Sequence, residues 1–198
     1  TPWPESDAHL MFPGLFEHRL DVVEVHMMTS RDGLKWQRPT RKPILPTGEP
    51  GHALELSVYG GVGLVSINPG EYSLPISPRG RSHNQAWKNI TYADPKDRGY
   101  LCLATWRKDG FMSLEVETQG GFTTVPLTFT GNRLELNSWT WQGGEILVEV
   151  ADGGSRFESS RIIPGRSFED CDPISGDLLN HTVTWNGNSD ISDWSGKP

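Results

Sequence analysis

Glu55 has the strongest sequence context for acid–base chemistry. It lies between two leucines in an apolar run that reads as the inner strand of a sheet. Burial disfavours the charged form of a carboxyl group, and this suits a general acid. We therefore predict Glu55 as the catalytic residue. The alternative is a glutamate at a strand edge that faces solvent or pairs with an arginine.

A polar segment from Arg79 to Gln85 (RGRSHNQ) carries the next candidates. His83 can donate or accept hydrogen bonds near neutral pH, and the guanidinium of Arg81 suits an acidic group. We predict both as substrate-binding residues. The alternative is that each is an ordinary surface residue of a loop.

The chain has eight tryptophans. Trp139 and Trp141 are two residues apart, so in a strand their side chains share one face. Exposed aromatic faces on which sugar rings stack are one interpretation, and we predict both residues as substrate-binding. A shared core face is the alternative. Trp185 and Trp194 are further candidates for such a surface.

Metal ligation is not predicted. Glu24 and His26 alternate on one strand near His18 and Asp21, but their spacing matches no compact metal motif. An acidic loop over residues 169–177 has oxygen ligands of the kind calcium prefers, without the pattern of an EF-hand. We interpret it as a solvated loop and expect no metal and no cofactor.

Charge and hydropathy exclude two classes of partner. The 198 residues carry a net charge of −7 with no basic cluster, so nucleic-acid binding is not expected. No apolar run approaches the roughly 20 residues of a membrane helix, and we expect a soluble protein with no membrane partner. Thr1-Pro-Trp-Pro is not a signal peptide. The compartment stays open, with a secreted or periplasmic location among the alternatives.

The two cysteines have different contexts. Cys102 lies in an apolar run and is predicted to be buried in a strand, whereas Cys171 lies in the acidic loop. One disulfide is possible in principle, but two unpaired thiols are favoured.

Alternating residues and short apolar runs predict an all-β fold. Residues 10–16 read as a strand interrupted by a turn, and residues 22–28 as a half-buried strand. Ser30 to Gly33 form a tight turn in which Asp32 caps its own backbone, and residues 34–38 return as a strand.

The middle of the chain is rich in proline and in turn-forming residues, which interrupt regular secondary structure. A proline-dense connector extends to Pro50, and residues 53–67 predict two short strands. Residues 68–98 are polar and turn-rich, which predicts a long loop with one short strand at most. Loops of that length inside compact domains are often functional.

From Gly99 onward, short strands recur with glycine-rich turns between them, which is typical of an antiparallel β-sandwich. The predicted strands include residues 100–107, 111–117, 122–127 and 133–136. Others follow at residues 145–150, 161–163 and 181–185. We predict two domains, residues 1–105 and residues 106–198.

Two motifs carry a resemblance to a known family. Ser30 to Arg38 (SRDGLKWQR) resembles a β-propeller blade corner of glycosidase-like proteins. Leu101 to Leu114 (LCLATWRKDGFMSL) resembles the junction between a five-bladed propeller and a C-terminal β-sandwich in glycoside hydrolase family 32 and its family 43 relatives. The segments TTVPL, LELN, VEVAD and CDPISGD extend the similarity to the sandwich.

The resemblance implies partial propeller-like blades in residues 1–105, followed by the sandwich. It implies a glycoside hydrolase-like protein that acts on or binds a glycan, with His83 hydrogen-bonding a sugar hydroxyl and Arg81 a sugar acid or sulfate. A five-bladed propeller needs far more than 198 residues. We therefore expect the C-terminal part of a longer protein or a truncated relative.

A second interpretation comes from another class of protein. A non-catalytic carbohydrate-binding or structural β-sandwich module would use its tryptophans rather than a carboxylate pair. Exposed, coplanar tryptophans on one face would distinguish this module from an enzyme. An open sheet edge also predicts pairing, so we expect a homo-oligomer or a strand-swapped dimer.

Overall fold

The all-β class is confirmed by the computed structural model. The structure describes residues 2–3, 6–49, 51–52, 54–85, 93–94, 98–153 and 161–197. Over these residues the chain forms strands, turns and one short 3₁₀ segment. None of its described helical segments has the length and hydrophobicity needed to span a membrane. The chain divides into two compact units, Thr1–Phe111 and Met112–Pro198.

The first unit is built on a five-stranded sheet and a two-stranded sheet. Its strands are β1 (His9–Met11), β2 (Gly14–Glu17), β3 (Val22–Val25), β4 (Met28–Ser30), β5 (Ser57–Gly60), β6 (Glu71–Arg79) and β7 (Cys102–Arg107). β1 pairs with β4, and the larger sheet has the order β2-β3-β5-β6-β7. β3 and β5 are parallel, and all other pairs are antiparallel. No sheet among the described residues closes into a barrel, and the propeller stays a prediction.

β6 is the longest strand and occupies an inner position, so the long loop predicted over residues 68–98 is wrong for its first part. That prediction rests partly on proline, which lacks the N–H for a ladder hydrogen bond. The Pro75 carbonyl accepts a 2.7 Å hydrogen bond from the N–H of Gly61, one residue past β5. The Pro75 nitrogen, which carries no hydrogen, faces the same side of β6 as this carbonyl. On that side β5 has already ended, so no ladder hydrogen bond is lost. Pro78 lies two residues past the last described β6–β7 pair.

Two groups of buried side chains form the core of the first unit. One group comprises Leu10, Met27, Tyr72 and Phe111. The other comprises Val25, Val58, Leu74 and Ile76. Phe12 and Trp106 pack against both groups and stack on each other with ring centroids 6.3 Å apart. The inner strand β6 contributes to both groups because its alternate residues are buried.

The turn after β4 confirms the capping role predicted for Asp32. Its Oδ1 accepts hydrogen bonds from the N–H groups of Leu34 (2.9 Å) and Lys35 (2.7 Å). Gly33 has φ of 71°, a left-handed conformation that glycine adopts without steric cost. The return strand predicted over residues 34–38 is limited to a single bridge with β4.

The second unit contains one two-stranded antiparallel sheet, β8 (Glu135–Trp139) with β9 (Asp177–Thr182), and a 3₁₀ turn at Ser192–Trp194. Isolated bridges join Ile146 to Ile174 and Ala151 to Ile162. The buried residues of its core are Cys171, Ile174, Val183, Trp185 and Ile191. The predicted sandwich stays a prediction, because the described residues of this unit contain only this one sheet.

No strand forms at residues 111–117 or 122–127, although their alternation predicts two. Leu114, Val116, Phe122 and Val125 are exposed there. Alternation indicates a strand only where a neighbouring segment supplies hydrogen bonds and an apolar face, and these residues have no ladder partner among the described parts of the chain.

Both cysteines are free thiols, as favoured from the sequence. Cys102 is exposed on β7, contrary to the predicted burial. Cys171 is buried, and its sulfur accepts the N–H of Val148 at 3.3 Å.

Candidate functional site

Glu55 lies two residues before β5 and not within a strand. Its side chain is half-buried, and Oε2 accepts a hydrogen bond of 2.9 Å from the N–H of Gly51. The backbone N–H of Glu55 in turn donates to the carbonyl of His52. The carboxylate thus closes a turn before the strand, and its catalytic role stays a prediction.

His83 lies on the loop after β6, where Asp21 anchors the backbone. The N–H of His83 donates to the carbonyl of Asp21 (3.1 Å), and the side-chain amide of Asn84 donates to the Asp21 carboxylate (2.7 Å). Asp21 has φ of 57°, a left-handed backbone conformation directly before β3. Arg81 is half-buried on the same loop.

The Asp21 carboxylate is held in its charged form. Its pKa lies below the ordinary value, first because of the neighbouring Ser82 side chain and then because of the N–H groups of Asn84, while burial acts in the opposite direction. The positive charge of a protonated His83 lowers it further. The carboxylate therefore acts as a charged anchor for the loop.

The side chain of His83 belongs to a continuous group of rings. Its Nδ1 is 2.9 Å from the hydroxyl of Tyr59. The ring of Phe16 lies 4.7 Å from the His83 ring and 4.4 Å from the His18 ring, measured between centroids. The Arg79 guanidinium lies over the Tyr59 ring, 5.5 Å from its centroid. We call these five residues the histidine–tyrosine cluster.

Sequence reasoning found only one member of the histidine–tyrosine cluster as a binding residue. Phe16 and Tyr59 have the sequence context of ordinary strand residues, and His18 is a candidate only for metal ligation. These residues lie on separate strands and loops, so no local spacing connects them. The sheet order β2-β3-β5-β6 is what brings them together.

Trp139 and Trp141 lie at the end of β8 in the second unit. They are 51% and 75% exposed, which contradicts a shared core face. Their ring centroids are 4.4 Å apart with an interplanar angle of 65°, so the rings meet edge to face. The exposure expected of a binding module is therefore present, but the expected coplanar arrangement is wrong. Between them, Thr140 donates its N–H to the carbonyl of Gly176, and its hydroxyl accepts the N–H of Gly176. These two bonds fix the backbone on which the exposed pair stands.

Trp185 and Trp194 do not belong to such a surface. Trp185 is 1% exposed, and its indole N–H donates to the carbonyl of Val148 at 2.9 Å. Arg166 lies over its ring, 5.2 Å from the centroid. Trp194 packs against the same core. Sequence spacing alone does not separate these core residues from the exposed pair.

The candidate metal ligands have other partners. His26 is buried, and its Nδ1 lies 2.9 Å from a nitrogen of Arg38, which can only donate. The His26 pKa is lowered, first by burial and then by Arg38. In the acidic loop, the Asp172 carboxylate accepts hydrogen bonds from Thr184 and Gly187. Within the described residues, no group of three or more potential ligands is arranged for a metal ion.

The comparisons with known proteins identify no relative. No protein-family model, curated protein or solved structure matches the chain. The residues predicted from the sequence fall in two compact units, with Glu55, Arg81 and His83 in the first and the tryptophan pair in the second.

Proposed function

We propose that this chain binds a glycan as a carbohydrate-binding module, and that Trp139 and Trp141 form its contact surface. The observation that carries the proposal is the exposure of two adjoining indole rings on a fixed strand end. Large exposed aromatic side chains are costly to keep in water, and a contiguous pair marks a binding surface. We call the two residues the tryptophan corner.

The geometry of the tryptophan corner favours one class of glycan. Sugar rings present C–H groups on their faces, and these bind to the electron-rich face of an indole. With an angle of 65° between the rings, the two indole faces cannot both stack on a flat ribbon of coplanar sugars. The corner suits an oligosaccharide whose neighbouring rings are turned relative to each other.

Hydrolysis belongs to a wider proposal that rests on the resemblance alone. A glycoside hydrolase of the five-bladed propeller clan would use Glu55 as its acid together with a second carboxylate. The Glu55 carboxylate accepts the Gly51 N–H at 2.9 Å, which is a structural role in the turn before β5. Glycan binding without turnover is therefore the function we favour.

A glycan-array screen followed by a hydrolysis assay on every hit tests the proposal. We expect binding without turnover, and we expect Trp139→Ala and Trp141→Ala each to reduce the signal. Phe122→Ala is the matched control, because Phe122 is 72% exposed in the same unit and contacts no second aromatic ring among the described residues. If Trp139→Ala and Trp141→Ala bind the glycan as strongly as Phe122→Ala does, the role of the tryptophan corner in binding is refuted. If the wild type hydrolyses a glycan and Glu55→Gln does not, a glycoside hydrolase is established instead.

A further inference from the structure

We propose that two copies of this chain form a two-fold symmetric dimer, in which residues 112–127 of one copy pair with residues 112–127 of the other as antiparallel strands. We call residues 112–127 the unpaired segment. It belongs to the second compact unit. The proposal concerns assembly, so it goes beyond glycan binding and does not depend on it.

The unpaired segment exposes apolar side chains and its backbone together. Within the described residues, no backbone hydrogen bond or strand pairing joins this segment to another part of the chain. Five of its apolar residues are between 47% and 75% exposed, namely Met112, Leu114, Val116, Val125 and Leu127. Unpaired backbone groups beside exposed apolar side chains are a template for pairing with another chain.

The exposed apolar area approaches what a stable dimer needs. At roughly 60–120 Å² for each fully exposed side chain of this kind, the five side chains present roughly 200–400 Å² of apolar surface. One partner of a standard interface contributes about 800 Å², of which somewhat more than half is apolar. The unpaired segment of each copy therefore supplies about half or more of that apolar share.

The sequence of the unpaired segment is complementary to itself in one antiparallel register. A two-fold axis between Gly120 and Gly121 places Val116 opposite the partner's Val125 and Leu114 opposite the partner's Leu127. Such apolar cross-strand pairs stabilise a sheet. A shift of one residue would instead place Val116 opposite the partner's Thr124, so the apolar pattern selects the register.

The acidic residues of the unpaired segment fit the same register. Glu115 lies opposite the partner's Pro126, and Glu117 lies opposite the partner's Thr124. A parallel, in-register pairing would place each glutamate opposite its own copy, and like charges directly opposite each other destabilise a sheet. The charges therefore favour the antiparallel arrangement.

The same pairs do not form within one chain. An intrachain hairpin would need a two-residue turn at Gly120 and Gly121, and the common types of this turn require a positive φ that neither glycine has. Phe129 shares the face of Leu127 in a strand and packs against the core of the second unit. This packing holds the end of the segment, and a second copy can supply the strand that the chain itself does not.

Sedimentation equilibrium of the full chain from about 1 to 100 μM tests the dimer. We expect the wild type to pass from monomer to dimer in this range. Val116→Lys and Val125→Glu should each weaken the dimer by about tenfold or more, because the symmetry places each substitution in the interface twice. Val62→Lys is the matched control, since Val62 is 96% exposed in the first unit and should leave the dimer unchanged.

An equimolar mixture of Val116→Lys and Val125→Glu tests the register. In the mixed dimer the new lysine meets the new glutamate, and the other pair is again valine with valine. The mixture should therefore regain the dimer, which also shows that both variants are folded.

Disulfide trapping reads the same register in a Cys102→Ser background, which removes the exposed native thiol. Val116→Cys mixed with Val125→Cys should give a linked dimer, and neither variant alone should. A wild type that stays monomeric throughout the concentration series would overturn the proposal. So would a dimer that persists in both charged variants, since the two copies would then meet elsewhere.

Discussion

Trp185→Phe removes the hydrogen bond from the buried indole to the carbonyl of Val148 while keeping an aromatic ring. A buried carbonyl left without its partner costs about 1–3 kcal/mol. The weaker contact of Arg166 with a smaller ring adds a fraction of the roughly 2 kcal/mol of a desolvated cation–π pair. The smaller ring also leaves a void in the core. Together these losses predict a decrease of about 2–4 kcal/mol in the free energy of unfolding.

Urea unfolding followed by circular dichroism measures this decrease. Trp141→Phe is the matched control, because the same substitution at a 75% exposed position should change the free energy of unfolding by about 0.5 kcal/mol or less. If both variants lose the same stability, the distinction between the core indole and the exposed pair is refuted. A decrease larger than about 4 kcal/mol would instead indicate that Trp185 also supports a wider part of the unit.

Two further predictions concern the first unit. Leu74→Ala should lower its free energy of unfolding by about 3–5 kcal/mol, measured in urea, because this core side chain is fully buried; a loss below 1 kcal/mol would contradict that packing. The Asp32 pKa lies below its ordinary value of 3.8, mainly because the N–H groups of Lys35 and Leu34 stabilise the carboxylate. Its stabilising contribution is therefore complete above pH 3.8 and is lost as the pH falls through the lower folded-state pKa. Thermal unfolding from pH 7 to pH 2 should show a smaller acid-induced loss in Asp32→Asn than in the wild type, and parallel curves would contradict the cap.

Local chemistry made part of the fold predictable from the sequence. The Asp32 turn needs only a short side chain that caps the backbone and a glycine in the next position. The structure shows both the capping by Asp32 and the left-handed conformation of Gly33. Short alternating runs correctly predicted the all-β class and the strand β7. These features depend on neighbours in the chain, so their signal lies within a few residues.

The remaining features of the fold depend on contacts between distant parts of the chain. Pro75 and Pro78 fit within β6 because their missing N–H groups face positions where the described partner strands have ended, which no local pattern shows. The apolar residues of segment 111–127 alternate as a strand does but find no ladder partner among the described residues. Burial of an apolar residue depends on what packs above it, and alternation does not supply that information.

The candidate sites also divide into features with a local sequence signal and features that depend on distant contacts. The spacing of Trp139 and Trp141 predicted that they would lie together, and exposure then distinguished surface from core. Trp185 has a similar local context but is buried. The contact of His83 with Phe16 and Tyr59 joins residues far apart in the sequence, and it required the strand order of the sheet.

The central claim is that the tryptophan corner binds a glycan, and one titration tests it most directly. The strongest glycan-array ligand is titrated calorimetrically into the wild type and into the double variant Trp139→Ala/Trp141→Ala. Aromatic contacts are worth about 0.5–1.5 kcal/mol each, so losing both should weaken binding roughly 5- to 150-fold. An affinity unchanged within twofold, in a double variant that unfolds at the wild-type temperature, would contradict the claim.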